Sequence, residues 1–145
     1  MATLEPPEAF RAPMRSRRDE VDPVLAVRRA LAVGLCGVGA VATERDARRL
    51  ERFCAVADGA YVWTRSADGF HLGLLAGPCV EDRAPEAVAA DLVHVRPCDW
   101  LPAPVDPALV PEQVVHAFSR GGRNFQGIGL PGAGPATARV WEVLG

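Results

Sequence analysis

The sequence predicts a single α+β domain: two N-terminal helices, a central β-hairpin with a further strand closing back on it, and a helical return at the C-terminus. Three observations carry this. Apolar residues recur at helical spacing behind helix-start signals at Asp22 and Thr43. Between Tyr61 and Leu101 the pattern changes to alternation on either side of Ser66-Ala67-Asp68-Gly69. The 145 residues are 49% apolar, enough for a real core at this length. The expected organisation is a flexible tail over 1–15, a helical segment over 16–58, and a β domain with C-terminal helices over 59–145.

Residues 1–15 hold three prolines and little periodicity, which reads as a mobile tail. Arg15, Ser16, Arg17 and Arg18 follow as a basic cluster able to touch phosphate. Asp22-Pro23 opens the first helix, a capping carboxylate before a first-turn proline. Its apolar set is Val24, Leu25, Val27 and Leu31, and Gly34, Gly37 and Gly39 end it. The run Leu-Cys-Gly-Val-Gly-Ala lacks the preceding strand that a phosphate-cradling loop needs, so it reads as a glycine-rich helix exit.

Thr43 caps the second helix, with Glu44 and Asp46 in the favourable first turn. Ala47, Leu50, Phe53, Cys54 and Ala57 form its apolar face. Arg45, Arg48, Arg49 and Arg52 form the other, with Glu44–Arg48 and Asp46–Arg49 at supporting spacing. Four arginines on one face can track a phosphate backbone; a plain solvated face is the alternative. Asp58-Gly59 stops the helix.

In the hairpin, Tyr61, Trp63 and Arg65 point to one side and Val62 and Thr64 to the other. Phe70, Leu72 and Leu74 return on one face, His71 and Leu75 on the other. Gly73 between them marks a bulge or a close approach by another backbone or a ligand. After Gly77-Pro78 comes a polar loop with a helical turn beyond Pro85, then a strand through Leu92–Arg96. Pro97 makes that an edge or bulged strand. Pro111 opens a short helix with Val114, Val115 and Phe118 inward. Arg123–Ile128 forms a last short strand or ordered loop, and residues 136–144 a final helix resting on Val140, Trp141 and Leu144.

Net charge is −2, no global argument for a polyanionic partner. All 16 basic residues are arginine, which reads first as compositional bias. Their placement is uneven: 11 arginines against 9 acids over 1–65, then 5 against 9 over 66–145. Cys36, Cys54, Cys79 and Cys98 show no CxxC and no metal-ligand spacing, so neither a zinc site nor another cofactor is expected. No secretory pattern opens the chain and no apolar run reaches the ~20 residues of a membrane span. The expectation is a cytoplasmic protein, without a membrane partner, whose thiols are reduced and mostly buried.

Catalysis finds little support. Cys98, Asp99 and His94 are the nearest approach to a nucleophilic set, but four extended residues part His94 from Cys98 by ~13 Å. Glu81-Asp82 is a loop dipeptide, and the absence of lysine counts against common nuclease clusters. The chain is expected not to be an enzyme. The aromatic set is the better lead. Tyr61, Trp63, Phe70 and Trp100 come from neighbouring strands, with Arg65 and Arg96 close by. Rings beside guanidinium groups can sandwich a base and read its edge, although aromatics on strands are more often core.

The pieces Tyr61–Arg65, Gly69–Pro78, Asp91–Leu101, Val110–Phe118 and Asn124–Ile128 together resemble small domains of the EVE-like, PUA-like superfamily. They are spread over residues 61–128, roughly half of the chain, outside the N-terminal helices. The resemblance implies a strongly bent mixed sheet or small barrel that binds nucleic acid, DNA or RNA. It also implies a modified or flipped base held in an aromatic-lined pocket. Trp63 and Trp100 would be the walls and Asp99 a base-edge acceptor. Arg65, Arg96 and Asn124 would contact phosphate or base, with Tyr61 beside them. Some such modules serve modification-dependent defence systems in bacteria, so an effector here would be a separate protein. The rival reading is a protein-interaction or regulatory module in which the aromatics are core and the arginine-faced helix docks a partner. A small Cys/His enzyme comes third. Burial of Trp63 and Trp100 separates these readings.

Overall fold

The computed structural model describes residues 7–145; the start of the expected tail lies outside the described residues. Helices α1 (Val24–Val33) and α2 (Glu44–Ala55) form behind the two start signals. Asp22 Oδ1 accepts from the Val24 amide at 3.1 Å. Thr43 and Asp46 make a reciprocal capping box, each side chain taking the other's backbone N–H. Three further helices follow, α3 (Pro85–Ala90), α4 (Glu112–Ser119) and α5 (Ala133–Leu144).

Among the described residues the strands are β1 (Ala9–Arg11), β2 (Leu35–Val38), β3 (Tyr61–Ser66), β4 (Gly69–Leu75), β5 (Val80–Glu81), β6 (His94–Trp100) and β7 (Gln126–Gly127). They form one mixed sheet, strongly curled into a half-barrel, in the order β2-β6-β4-β3-β1-β7 with β5 also on β6. The fold is therefore α+β with a bent sheet.

Both faces of the sheet are covered. Val62 and Leu75 join a core with Ala26, Ala30, Phe53 and Leu92. Their neighbours Trp63 and Leu72, paired across β3 and β4, point the other way into a second core with Val105, Val114, Phe118 and Val140. The alternation read for the hairpin holds, but both sides of it are buried. Gly73 is a point of close approach: a Cβ there would lie 2.7 Å from Cys98 Sγ and 2.8 Å from the Trp100 ring. Side chains of β6, not a backbone or ligand, take that space.

Four expectations are corrected. Part of the supposed tail is strand β1, parallel to β3 in the register Ala9–Tyr61 to Arg11–Trp63. Its docking is fixed by the Ala12 amide donating to Trp63 O at 2.8 Å. Arg11 adds hydrogen bonds to the carbonyls of Ala117 and Gly121 at 2.8 and 2.6 Å. The glycine-rich run after α1 is strand β2, antiparallel to β6, rather than a helix exit. Glycine is needed there because a Cβ at Gly37 would meet the His94 carbonyl at 2.6 Å. The 16–58 segment is thus woven into the same sheet as the rest.

Third, β6 is an internal strand, so of the two readings of Pro97 the edge strand fails. On one side its partner changes from β5, at Val95, to β4, at Cys98. Pro97 sits in that gap, where no ladder donor is required. Fourth, Cys54 and Cys79 form a disulfide, with α-carbons 5.4 Å apart. The expectation of four reduced thiols fails, and with it the cysteine support for a cytoplasmic location. Cys36 and Cys98 are free and buried. Reducing the disulfide should lower stability by ~3 kcal/mol, because a 25-residue separation is no longer closed in the unfolded chain. Thermal melts with and without dithiothreitol, against a Cys54→Ala/Cys79→Ala variant that no longer responds, check this. Among the described residues no helix is long and apolar enough to cross a membrane.

Candidate functional site

The residues nominated from the sequence do not converge. Trp63 is 0% exposed, and its indole N–H donates to Thr137 Oγ1 of α5 at 3.0 Å. As a pocket wall it is corrected: with both faces of β3 covered, its ring has no free surface on which to stack a base. Trp100 is half-buried against the other core, its indole N–H bound to Leu35 O at 2.8 Å. The two rings therefore lie in separate clusters and enclose no common pocket.

Arg96 is also corrected as a ligand contact. It is 2% exposed and spends its guanidinium on the protein itself, donating to the carbonyls of Gly77, Phe53 and Val56 and to Asp58 Oδ1. Tyr61 packs against Trp141, ring centroids 6.2 Å apart. Arg65 lies over the rings of Phe70 and Phe118 at 5.8 and 5.7 Å. Asp99 is exposed on β6, next to Trp100 but on the opposite side of the strand.

The cysteines offer no nucleophile. Burial pushes the Cys36 thiol up to about 12, and burial with the neighbouring Cys36 and Asp99 raises Cys98 further. Neither is a thiolate near neutrality. Desolvation lowers His71, which is bound at Nε2 to the Ser66 hydroxyl at 2.8 Å. Among the described residues no group of three His, Cys, Asp or Glu could hold a metal.

Of the nominated residues, Asn124 and Arg65 each line a cleft, but not the same one. The 170 Å³ cleft at Asn124 is enclosed by residues 15–18, the end of β2, the N-terminal half of α2 and residues 123–125. Arg17 ties it together, bonding Asn124 Oδ1 with one nitrogen and Asp46 with the other at 2.8 Å. Arg18 lies 3.7 Å from Asp91, Arg49 3.8 Å from Asp46, and Arg123 3.5 Å from Asp19. Asp91, 8% exposed in a left-handed turn with φ 53°, is the floor. It accepts from the Ser16 hydroxyl and the Ala40 amide. A Cβ at Gly39 would lie 2.7 Å from its carboxylate, so glycine lets β2 pass.

Outside this cleft, Arg45, Arg48 and Arg52 extend the basic surface along α2. None of the three has an ion-pair partner among the described residues. The Glu44–Arg48 pair expected from spacing does not form, whereas Asp46–Arg49 does. The sequence reading found the arginine helix and the 15–18 cluster separately. It had no signal that the chain folds them together, and it missed Asp91.

The Ala42 amide, with Arg17 and Thr43, holds the Asp46 carboxyl below its ordinary value. A carboxyl depressed by folding stabilises the protein above its unfolded value, and that stability is lost as pH falls through the folded value. Acidification from about pH 5 to about pH 3 should therefore loosen α2 and the Arg17 bridge. Thermal melts across this range should show a shallower acid limb in Asp46→Asn than in the unsubstituted protein.

In comparisons with known proteins, this chain matches no protein-family model and no curated protein.

Proposed function

We propose that the protein is a non-catalytic nucleic-acid-binding module whose contact surface is the arginine face of α2 together with the cleft beneath residues 15–18. The observation that carries this is the row Arg45, Arg48 and Arg52, on one helix face without ion-pair partners among the described residues, continued by Arg17, Arg18, Arg49 and Arg123 around the cleft. Helical spacing sets these guanidinium groups at intervals along an edge, where they can meet successive phosphates of one strand. Arginine suits that task because its planar fork grips phosphate with two parallel bonds. The excess of arginine over acid in the first 65 residues is concentrated here, which answers the small negative net charge of the whole chain.

The reading keeps the partner implied by the resemblance to EVE-like and PUA-like domains and moves the contact away from Trp63. At 170 Å³ the cleft is small beside the ~300–1,000 Å³ of ordinary ligand pockets. It suits one phosphate or one extruded base, with the amide nitrogen of Asn124 at hand for a base edge. A module of this kind acts through a separate effector protein.

Fluorescence anisotropy with labelled single-stranded and duplex oligonucleotides, DNA and RNA, tests the proposal across a salt series. Binding should weaken steeply with salt. An Arg45→Gln/Arg48→Gln/Arg52→Gln variant should fold normally and lose about 2 to 3 from the log–log salt slope. No binding by the unsubstituted protein at low salt, or an unchanged slope in the variant, would sink it.

A further inference from the structure

A second cleft of 670 Å³, bordering the first at Arg15, lies between α1, the β3–β4 turn and the end of α4. It explains a discrepancy in α1. The apolar set expected for that helix is Val24, Leu25, Val27 and Leu31, yet of these only Val27 is fully buried, beside Ala26 and Ala30. Val24 is left 48% exposed and Leu31 half-buried. Both line this cleft, with Phe118 of α4 among the facing residues. The outer edges of Val24, Val27 and Leu31, the last two also packed on the core, therefore form one aliphatic wall of a cavity within the size range of small-molecule sites.

The rim is cationic. Arg15, Arg28 and Arg65 line the cleft against a single carboxylate, Asp68. None of the three guanidinium groups has a hydrogen-bond or ion-pair partner among the described residues. Arg65 is held in place by the faces of Phe70 and Phe118 rather than by an acid. Stacking of that kind leaves all five N–H donors of its fork free. At the same rim the Ser66 hydroxyl lies 2.8 Å from His71 Nε2. When that nitrogen carries the proton, the serine hydrogen is free to donate to a ligand.

We infer that this cleft binds a small amphipathic anion, an apolar body seated on Val24, Val27 and Leu31 with a carboxylate head held by Arg28 and Arg65. Charge complementarity selects the head, since three unpaired guanidinium groups face one acid. The walls select the body: Val24, Val27 and Leu31 are aliphatic, and the Phe118 ring is already covered by Arg65, so a stacked base has no platform here. The site is independent of the nucleic-acid surface, although Arg15 borders both clefts.

Isothermal titration of the full chain with decanoate, and separately with decanol, tests the inference. Decanoate should bind saturably at one site and about tenfold more tightly than decanol, the worth of one charge-assisted hydrogen bond. Arg28→Ala/Arg65→Ala should remove that preference while leaving α2 and its oligonucleotide binding intact. Val24→Asp, at an exposed position lining the cleft, should weaken decanoate at least tenfold by replacing an apolar contact with a like charge. Absence of saturable decanoate binding, equal affinity for decanol, or full decanoate affinity in the double arginine variant would each overturn it.

Discussion

Trp63→Ala should destabilise the protein by ~3–5 kcal/mol, the usual cost of emptying an aromatic site in a core. The indole is fully buried among Leu72, Val105, Val114, Phe118 and Val140, drawn from β4, α4, α5 and the segment between β6 and α4. Truncation therefore unseats α4 and α5 from the sheet together. It also strands the Thr137 hydroxyl, 0% exposed, which now accepts the indole N–H. Thr137→Val, which keeps the volume but removes the acceptor, should cost ~1–3 kcal/mol for the orphaned N–H. Urea denaturation followed by tryptophan fluorescence and far-UV circular dichroism measures both. A Trp63→Ala protein that melts normally while losing a ligand would mean the ring is a binding surface rather than a core element.

Arg96→Met is the second large effect, on the order of 3 kcal/mol. This arginine has one exposed partner and three carbonyl partners. Asp58 is 69% exposed, so the ion pair itself contributes little. The carbonyls of Phe53 and Val56 close α2, and a buried guanidinium at that end satisfies acceptors that the helix leaves open. Methionine fills the volume but donates nothing. Asp58→Asn should therefore cost under ~0.5 kcal/mol, while Arg96→Met shows most of its loss in the docking of α2, which chemical denaturation and hydrogen exchange at residues 50–56 would register.

Local signals carried the helices and the hairpin, because caps, turns and periodicity act over a few residues. Thr43 with Asp46 announces α2, and Ser66 through Gly69 announces the β3–β4 turn, with no help from distant parts of the chain. What escaped was set by pairing across long separations. Ala9–Arg11 is too short to display alternation and becomes a strand only because β3 offers it an edge. Gly37 reads as a helix terminator until the β6 backbone is beside it. Cys54 and Cys79 carry no spacing motif and meet only because the loop after β4 passes the end of α2.

The candidate site follows the same rule. Two rings two or four residues from arginines look alike in sequence whether they line a pocket or fill a core, and only the covering helices decide. With α4 and α5 on one face of β3 and α1 on the other, Trp63 became core and Arg96 an internal tie. The arginines of residues 15–18 and of α2 were each visible as charge. Their convergence depends on β1 docking the N-terminal segment and on Arg17 reaching Asp46 and Asn124.

The most direct test of the arginine surface is a residue-resolved map of nucleic-acid contact. Backbone amide shifts of the labelled protein, followed as a short oligonucleotide is added at low salt, should move at residues 15–18, 45–52 and 123–124. The indole N–H signal of Trp63 should stay fixed. Shifts centred on Tyr61, Asp99 and Trp100, or no shifts on the α2 face, would contradict the account.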